Sequence, residues 1–282
     1  MRKGKQFDAT RIRALALDLD GTTLLPDASL GERTARAVGK LAARGVEIIV
    51  CTGRSPGAAA RFCEALGARG PMVFFNGGAL AEMPGGKRLR YSLLSPEALL
   101  EGARTAEILG AHYQAYFPQE DGRGEEILAS ASLSEEALEY ERRVGHKVVV
   151  GDIAEMAGRH GGAVKAMFIA EPEILEKARA EMKARLGEGV YLTLTQSNYL
   201  EALSSGVSKG SGLEAALALR GIDPGQALAC GDEENDLPML AAAGFSAAPS
   251  GACEEAREMA DFIFGPASDE GLAAFLEEGF GL

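Results

Sequence analysis

Asp18-Leu19-Asp20-Gly21-Thr22-Thr23-Leu24 follows directly on the apolar run Ala14-Leu15-Ala16-Leu17. The run reads as a buried strand, and two carboxylates two residues apart at its end are expensive. A charge that leaves water must be paired or bound to a metal. While the backbone stays extended, Asp18 and Asp20 project to the same side. Gly21 and the two threonines then turn the chain and supply small hydrogen-bonding groups. In such a pair one carboxylate can attack an electrophile while the other handles the proton, and a divalent cation offsets their repulsion.

Further apolar runs, Val46 to Val50, Met72 to Phe75 and Ala227 to Cys230, alternate with helical patterns at both ends of the chain. Gly31 to Gly45 reads as a helix, with Thr34, Val38 and Leu41 on one face. Ser55-Pro56 opens a second helix that runs towards Gly67. Asp236-Leu237-Pro238-Met239-Leu240 opens another that stops at Gly244. All-apolar strands alternating with helices predict an α/β domain with a parallel sheet covered on both faces. From Glu82 to Leu200 the pattern changes. His112 to Phe117, Ala166 to Ala170 and Val190 to Thr195 read as strands. Glu173 to Leu186 reads as a helix, with Ile174, Leu175, Ala178, Met182 and Leu186 on one face. Pro84-Gly85-Gly86 and Ser204-Ser205-Gly206 are turn-rich joints. The expected organisation is a core formed by residues 1–81 and 201–282, split by a smaller α+β insertion over residues 82–200.

Three more pieces join the aspartate pair. Cys51-Thr52-Gly53-Arg54 follows the second run, and its Thr52 hydroxyl and Gly53 backbone suit a phosphate oxygen. Gly206-Val207-Ser208-Lys209-Gly210 brings one ammonium to the start of a helix, where an anion is favoured. Gly231-Asp232-Glu233-Glu234-Asn235-Asp236 follows another run with clustered carboxylates, which suit magnesium. Ligands of open parallel sheets bind at the carboxyl ends of the strands. Asp18, Thr52, Asn76 and Asp232 each follow an apolar run and are expected at that one edge.

These residues, in this order, resemble the haloacid dehalogenase superfamily of phosphatases and phosphotransferases. Cys51-Thr52-Gly53-Arg54, Phe75-Asn76-Gly77-Gly78, Gly206 to Gly210 and Gly231 to Leu240 look like its Cof-type subfamily, subclass IIB. Only 27 residues separate Leu24 from Thr52, too few for a cap, whereas 154 lie between Arg54 and Lys209. The resemblance implies a Rossmann-like, doubly wound parallel-sheet core with an inserted α+β cap. It implies a magnesium-dependent phosphatase, with Asp18 as the nucleophile that forms an aspartyl-phosphate. Asp20 would protonate the leaving alcohol and then activate water. Thr52 and Lys209 would hold the phosphoryl oxygens. Asp18, the Asp20 carbonyl and Asp232 would bind magnesium, with Asn235 and Asp236 in support. The cap would close over the core like a lid. The expected substrate is a small phosphorylated metabolite, a sugar phosphate or a nucleotide-like compound. A sugar phosphomutase shares the chemistry and stands as the alternative. A non-catalytic phosphometabolite-binding module is the alternative of another class.

Single features carry ordinary readings beside these. Arg54 is either a surface cation or a support near the phosphate, and Asn76 with Gly77 either shapes a turn or meets the substrate. Glu233 and Glu234 read as a solvated acidic loop, and His112, His146 and His160 as isolated histidines. Asn198 and Glu201 suit a hinge or strand packing at least as well as substrate contact. Lys165, before the apolar run Ala166 to Ala170, is weighed as a residue facing the site from the cap, a reading that is not favoured.

Composition narrows the partners. With 29 basic and 41 acidic side chains the net charge is −12. That balance argues against nucleic acid and against an anionic membrane surface, because both reward clustered cations. Hydrophobic residues make up 46% and charged residues 25%, a globular balance. Met1-Arg2-Lys3-Gly4-Lys5 is basic, but no apolar stretch follows it, and no segment approaches the roughly 20 apolar residues of a membrane span. Cys51, Cys63, Cys230 and Cys253 show no metal-ligand spacing and read as reduced. A cytoplasmic monomer or homodimer is expected.

Overall fold

The computed structural model describes residues 8–119 and 126–282. The basic stretch Met1 to Lys5 lies outside the described residues. The chain divides into two compact units, one ending at Leu89 and resuming over Ser208–Leu282, the other Arg90–Val207.

The first unit opens with β1 (Ala14–Leu17), α1 (Glu32–Ala43), β2 (Glu47–Val50), α2 (Pro56–Ala65), β3 (Gly70–Phe74), β4 (Ala79–Met83) and β5 (Lys87–Tyr91). Successive residues of a strand face opposite sides, and all four residues of β1 are buried, so both faces of the sheet are covered. Ser55 caps α2 by accepting from the Ala58 N–H, with Pro56 at its first turn, as the sequence predicts.

The second unit is built from α3 (Pro96–Leu109), β6 (His112–Phe117), β7 (Ile127–Ser130), α4 (Glu135–Val144), β8 (Val148–Val150), α5 (Ile153–His160), β9 (Lys165–Ile169), α6 (Pro172–Leu186), β10 (Val190–Gln196) and β11 (Tyr199–Ser204). Its six strands form one sheet in the order β10-β11-β9-β6-β7-β8, antiparallel except for the last pair. Leu99, Ala157, Leu175, Ala178 and Met182 of its helices share a core with Ala115, Phe117, Phe168 and Leu200 of the sheet. The alternate residues, among them Gln114, Tyr116, Lys165 and Glu201, carry its polar buried groups.

The chain then completes the first unit with α7 (Lys209–Leu219), β12 (Ala227–Cys230), α8 (Leu237–Ala242), β13 (Phe245–Pro249), α9 (Glu254–Met259), β14 (Phe262–Phe264) and α10 (Gly271–Phe280). The main sheet runs β14-β13-β12-β1-β2, all parallel. β3 joins β2 through one parallel bridge, Cys51 to Val73. The order reverses at β1, which lies between β2 and β12. Such a switch point opens a crevice at the carboxyl ends of the strands. This is the parallel sheet covered on both faces that the apolar runs predict and the doubly wound core that the resemblance implies, with an inserted α+β unit.

The joints fall later than the sequence suggests. Pro84-Gly85-Gly86 is the turn between β4 and β5, and the division falls inside β5 rather than at residue 81. Tyr199–Ser204 pairs with β9 and β10, so the second unit keeps this strand beyond residue 200. A turn-rich tripeptide marks a reversal of the chain, and whether it also ends a domain depends on what the next strand pairs with.

Candidate active site

Asp18 leaves β1 while still tied to the sheet, its N–H donating to the Cys230 carbonyl at 3.0 Å. The Thr23 hydroxyl donates to the Asp18 carbonyl at 2.5 Å, which closes the turn on its own strand. Gly21 has φ of +81°, and a Cβ there would lie 2.1 Å from Asp232 Oδ2. Only glycine lets the turn press against the acidic loop. The Thr22 hydroxyl crosses to that loop and donates to Asp232 Oδ1 at 2.6 Å. The sequence showed the two threonines as turn residues with hydroxyls to offer. It did not show that Thr22 reaches Asp232, a contact between residues more than 200 positions apart.

Lys209 is the first residue of α7, whose cap is reciprocal: Ser208 Oγ accepts from the Ser211 N–H, and Ser211 Oγ accepts from the Ser208 N–H. This fixes the ammonium, which is only 1% exposed. It donates to Asp18 Oδ1 at 2.5 Å and to Asp236 Oδ1 at 2.6 Å. Asp236 spends its second oxygen on the Asp232 and Glu233 N–H groups at 2.9 and 3.1 Å. It is therefore a brace that folds the acidic loop around the lysine.

One oxygen each of Asp18, Asp232 and Asp236 lie within 4.8 Å of one another, and all three residues are buried. Three carboxylates face one ammonium. Burial pushes the Asp18 carboxyl well above the usual range, against the pull of Lys209 and with a further push from Asp236 and Asp232. Asp232 is raised to about 7 by burial and by Asp236, with Thr22 and Lys209 opposing. Burial disfavours the Lys209 ammonium, but Asp18 and Asp236 outweigh it, and the group is held charged well above its ordinary range. The surplus of buried acid suits a hard cation with oxygen ligands, and magnesium fits this donor set.

The other predicted residues gather in two further contacts. Asp20 stands exposed and outside the acidic cluster, with both oxygens held by Arg54, from Nε at 2.8 Å and from Nη2 at 2.5 Å. The Arg54 guanidinium also lies over the Phe62 ring, 5.1 Å from its centre. Arg54 is thus committed to a carboxylate of the site and is not a plain surface cation. Thr52 is buried, and its Oγ1 accepts from the Arg54 N–H at 3.2 Å, which shapes the turn around Gly53. Asn76 Oδ1 accepts from Asn235 Nδ2 at 3.0 Å.

The acidic loop is less solvated than its composition suggests. Glu233 is half-buried, caps the short turn Glu234–Asp236 in a reciprocal pair with Asp236, and has its carboxyl raised by burial and by that neighbour. In the second unit, Lys165 forms a buried ion pair with Glu201 at 2.7 Å. His112 is buried between Gln114 and Ser134, at 3.1 and 3.0 Å. His146 lies edge-on to Tyr116 and His160 lies beside Phe117. All four cysteines are free. Among the described residues no helix is long and apolar enough to cross a membrane.

The strand-end carboxylates, the buried lysine and the acidic loop thus gather in one cluster after β1 and β12. The sequence pattern of haloacid dehalogenase-like hydrolases matches residues 15–276, and the chain belongs to that family. It is 27% identical to an HMP-PP phosphatase of Cronobacter sakazakii, over 81% of this chain and 80% of that protein. It is 24% identical to the 5-amino-6-(5-phospho-D-ribitylamino)uracil phosphatase YitU of Bacillus subtilis, over 97% and 99%. The solved structure of TM0651 from Thermotoga maritima superposes with a TM-score of 0.77 at 25% identity, covering 95% of this chain and 97% of that one. The subclass IIB sugar phosphatase BT4131 shares the fold with a TM-score of 0.80 at 18% identity, over 95% and 99%.

Proposed function

We propose that this protein is a magnesium-dependent phosphatase of small phosphorylated metabolites, sugar phosphates or nucleotide-like compounds, working through an aspartyl-phosphate on Asp18. The observation that carries the reading is the buried cluster of Asp18, Asp232 and Asp236 against the single ammonium of Lys209. The names of its relatives, phosphatases of small phosphorylated compounds, support the substrate class.

Asp18 and Asp232 would hold the cation, with the Asp20 carbonyl, and with Asp236 and Asn235 keeping the loop in place. Bound there, magnesium supplies positive charge to the phosphoryl oxygens and lets adjacent carboxylates stay ionised. A carboxylate oxygen of Asp18 attacks phosphorus, the ester P–O bond breaks, and Asp20 gives its proton to the departing oxygen. Asp20 then takes a proton from water, the water oxygen attacks phosphorus, and the bond to Asp18 breaks with release of phosphate. Thr52, the Gly53 backbone and Lys209 hold the phosphoryl oxygens through these steps. Uncatalysed hydrolysis of phosphate monoesters is slow enough for enzymes to accelerate it by up to about 10²¹-fold. Positioning and charge carry most of that in phosphoryl transfer. The free thiols support a cytoplasmic setting.

The test is Asp18→Asn with an aryl phosphate and Mg²⁺. Turnover is expected to fall by about 10⁴-fold or more, as loss of a covalent nucleophile does in other enzymes. Undiminished turnover would sink the covalent mechanism.

A further inference from the structure

The residues Phe75 and Asn76 both have left-handed backbones, with φ of +49° and +53°. Asparagine tolerates this region, but a bulky phenylalanine there is an outlier. Two such residues in succession persist only where their surroundings over-determine them, and they concentrate at functional sites. Here the surroundings are the loops of the candidate site. The Asn76 N–H donates to the Thr52 carbonyl at 3.0 Å, and the Phe75 N–H to the Arg54 carbonyl at 3.1 Å. The Thr52 N–H returns to the Val73 carbonyl at 2.9 Å. The loop after β3 and the loop after β2 are therefore stitched together on both sides of Gly53.

The side chain continues the stitching in another direction. Asn76 is 1% exposed and Asn235 6%, and the Asn235 amide donates to Asn76 Oδ1. Asn235 stands one residue before the brace Asp236 and three after Asp232. A Cβ on Gly53 would come within 3.2 Å of both polar atoms of the Asn76 amide, so the amide packs flat against that backbone. One buried side chain thus lies between the Thr52–Arg54 loop and the acidic loop.

We infer that Asn76 is a positioning residue: its amide fixes Asn235 and sets the Asp232–Asp236 loop in register with the Thr52–Arg54 loop. The left-handed turn is what aims the amide inward, since an extended backbone at Asn76 would send it elsewhere. This inference rests on the metal-dependent reading above and adds to it the link that couples the cation site to the phosphate cradle. Groups that orient metal ligands from behind typically change affinity or activity by about 10- to 100-fold when removed.

The experiment is calorimetric titration of the full-length protein with Mg²⁺ alone, with aryl phosphate kinetics alongside. Asn76→Gly keeps the left-handed backbone without strain and deletes the amide. Asn235→Ala deletes the other end of the bond and asks nothing of the backbone. Each variant is expected to bind Mg²⁺ about tenfold more weakly or worse, with kcat reduced and KM for the aryl phosphate nearly unchanged. The double variant is expected to be no weaker than the worse single variant, because both remove one bond. Wild-type Mg²⁺ affinity in Asn76→Gly overturns the inference, and so do losses that add in the double variant. If the wild-type protein itself takes up no Mg²⁺, the functional reading fails, a result read without any variant.

Discussion

Arg54 grips both oxygens of Asp20, which orients that group as an ionised carboxylate, so one of the two bonds must open before Asp20 can carry the proton it gives to the leaving oxygen. A planar guanidinium matches a carboxylate in two parallel bonds, which a lysine cannot do. Arg54→Ala is therefore expected to lower kcat on an aryl phosphate by about tenfold, less than the roughly 10²- to 10⁴-fold of a general acid–base group itself, because Asp20 remains in place. Arg54→Lys should recover only part of the loss. Equal activity in all three proteins would remove Arg54 from the mechanism. At this scale the sequence was uneven. Asp18 and Asp232 stand out because a carboxylate at the end of an apolar run demands a partner, whereas Lys209 alone reads as a solvated helix-start lysine and gains a role only from the motifs around it. The partners of Arg54, Asn76 and Thr22 could not be read, because a short polar side chain after a strand can satisfy itself with any of several neighbours.

The helix α7 shows how an element holds the site. Its reciprocal serine cap fixes where the helix starts, and the next residue, Gly210, lies against α8. A Cβ on Gly210 would stand 2.4 Å from the Pro238 carbonyl oxygen. Gly210→Ala must therefore push α7 away from α8, and Lys209 with it. Overpacking of this kind typically costs about 1–3 kcal/mol. The expected outcome is a lower melting temperature together with reduced turnover, measured by calorimetry and steady-state kinetics. Unchanged stability would show that the two helices yield without cost. Elements with a cap and a regular apolar face are legible in the sequence, as the Ser55-Pro56 start of α2 shows. The turn between β4 and β5 reads locally as a domain joint, since the pairing partners of the next strand leave no signal in the tripeptide itself.

At the scale of the whole molecule, two units with separate cores predict two thermal transitions, because each such unit can unfold cooperatively by itself. Mg²⁺ at about 100 times its dissociation constant should stabilise the unit bearing Asp18 by about 2.7 kcal/mol and leave the other transition in place. The metal-free protein should also show the cost of its buried acid. Asp232 titrates at about 7 in the fold, above its value in the unfolded chain, so the folded state binds the proton more tightly. That contribution is present in full below about pH 4 and is lost as the pH rises through 7. Asp232→Asn keeps the acceptor for Thr22 and removes the charge. Its melting temperature relative to wild type should become more favourable from pH 5 to pH 8 without metal. A difference that stays flat across that range would show that Asp232 pays no such penalty.

The α/β class and the presence of an inserted unit are legible in the chain alone, as are the strand-end carboxylates and the helix-start lysine proposed to carry the chemistry. Strand apolarity, helix caps and strand-end charges are local properties, and each has a physical meaning within a few residues. Only the tertiary structure decided which side chain meets which. Asp20 with Arg54, Thr22 with Asp232 and Asn76 with Asn235 are contacts of about 3 Å between segments far apart in the chain. They depend on strand order and on the packing of loops at one sheet edge, where small shifts exchange one hydrogen-bond partner for another.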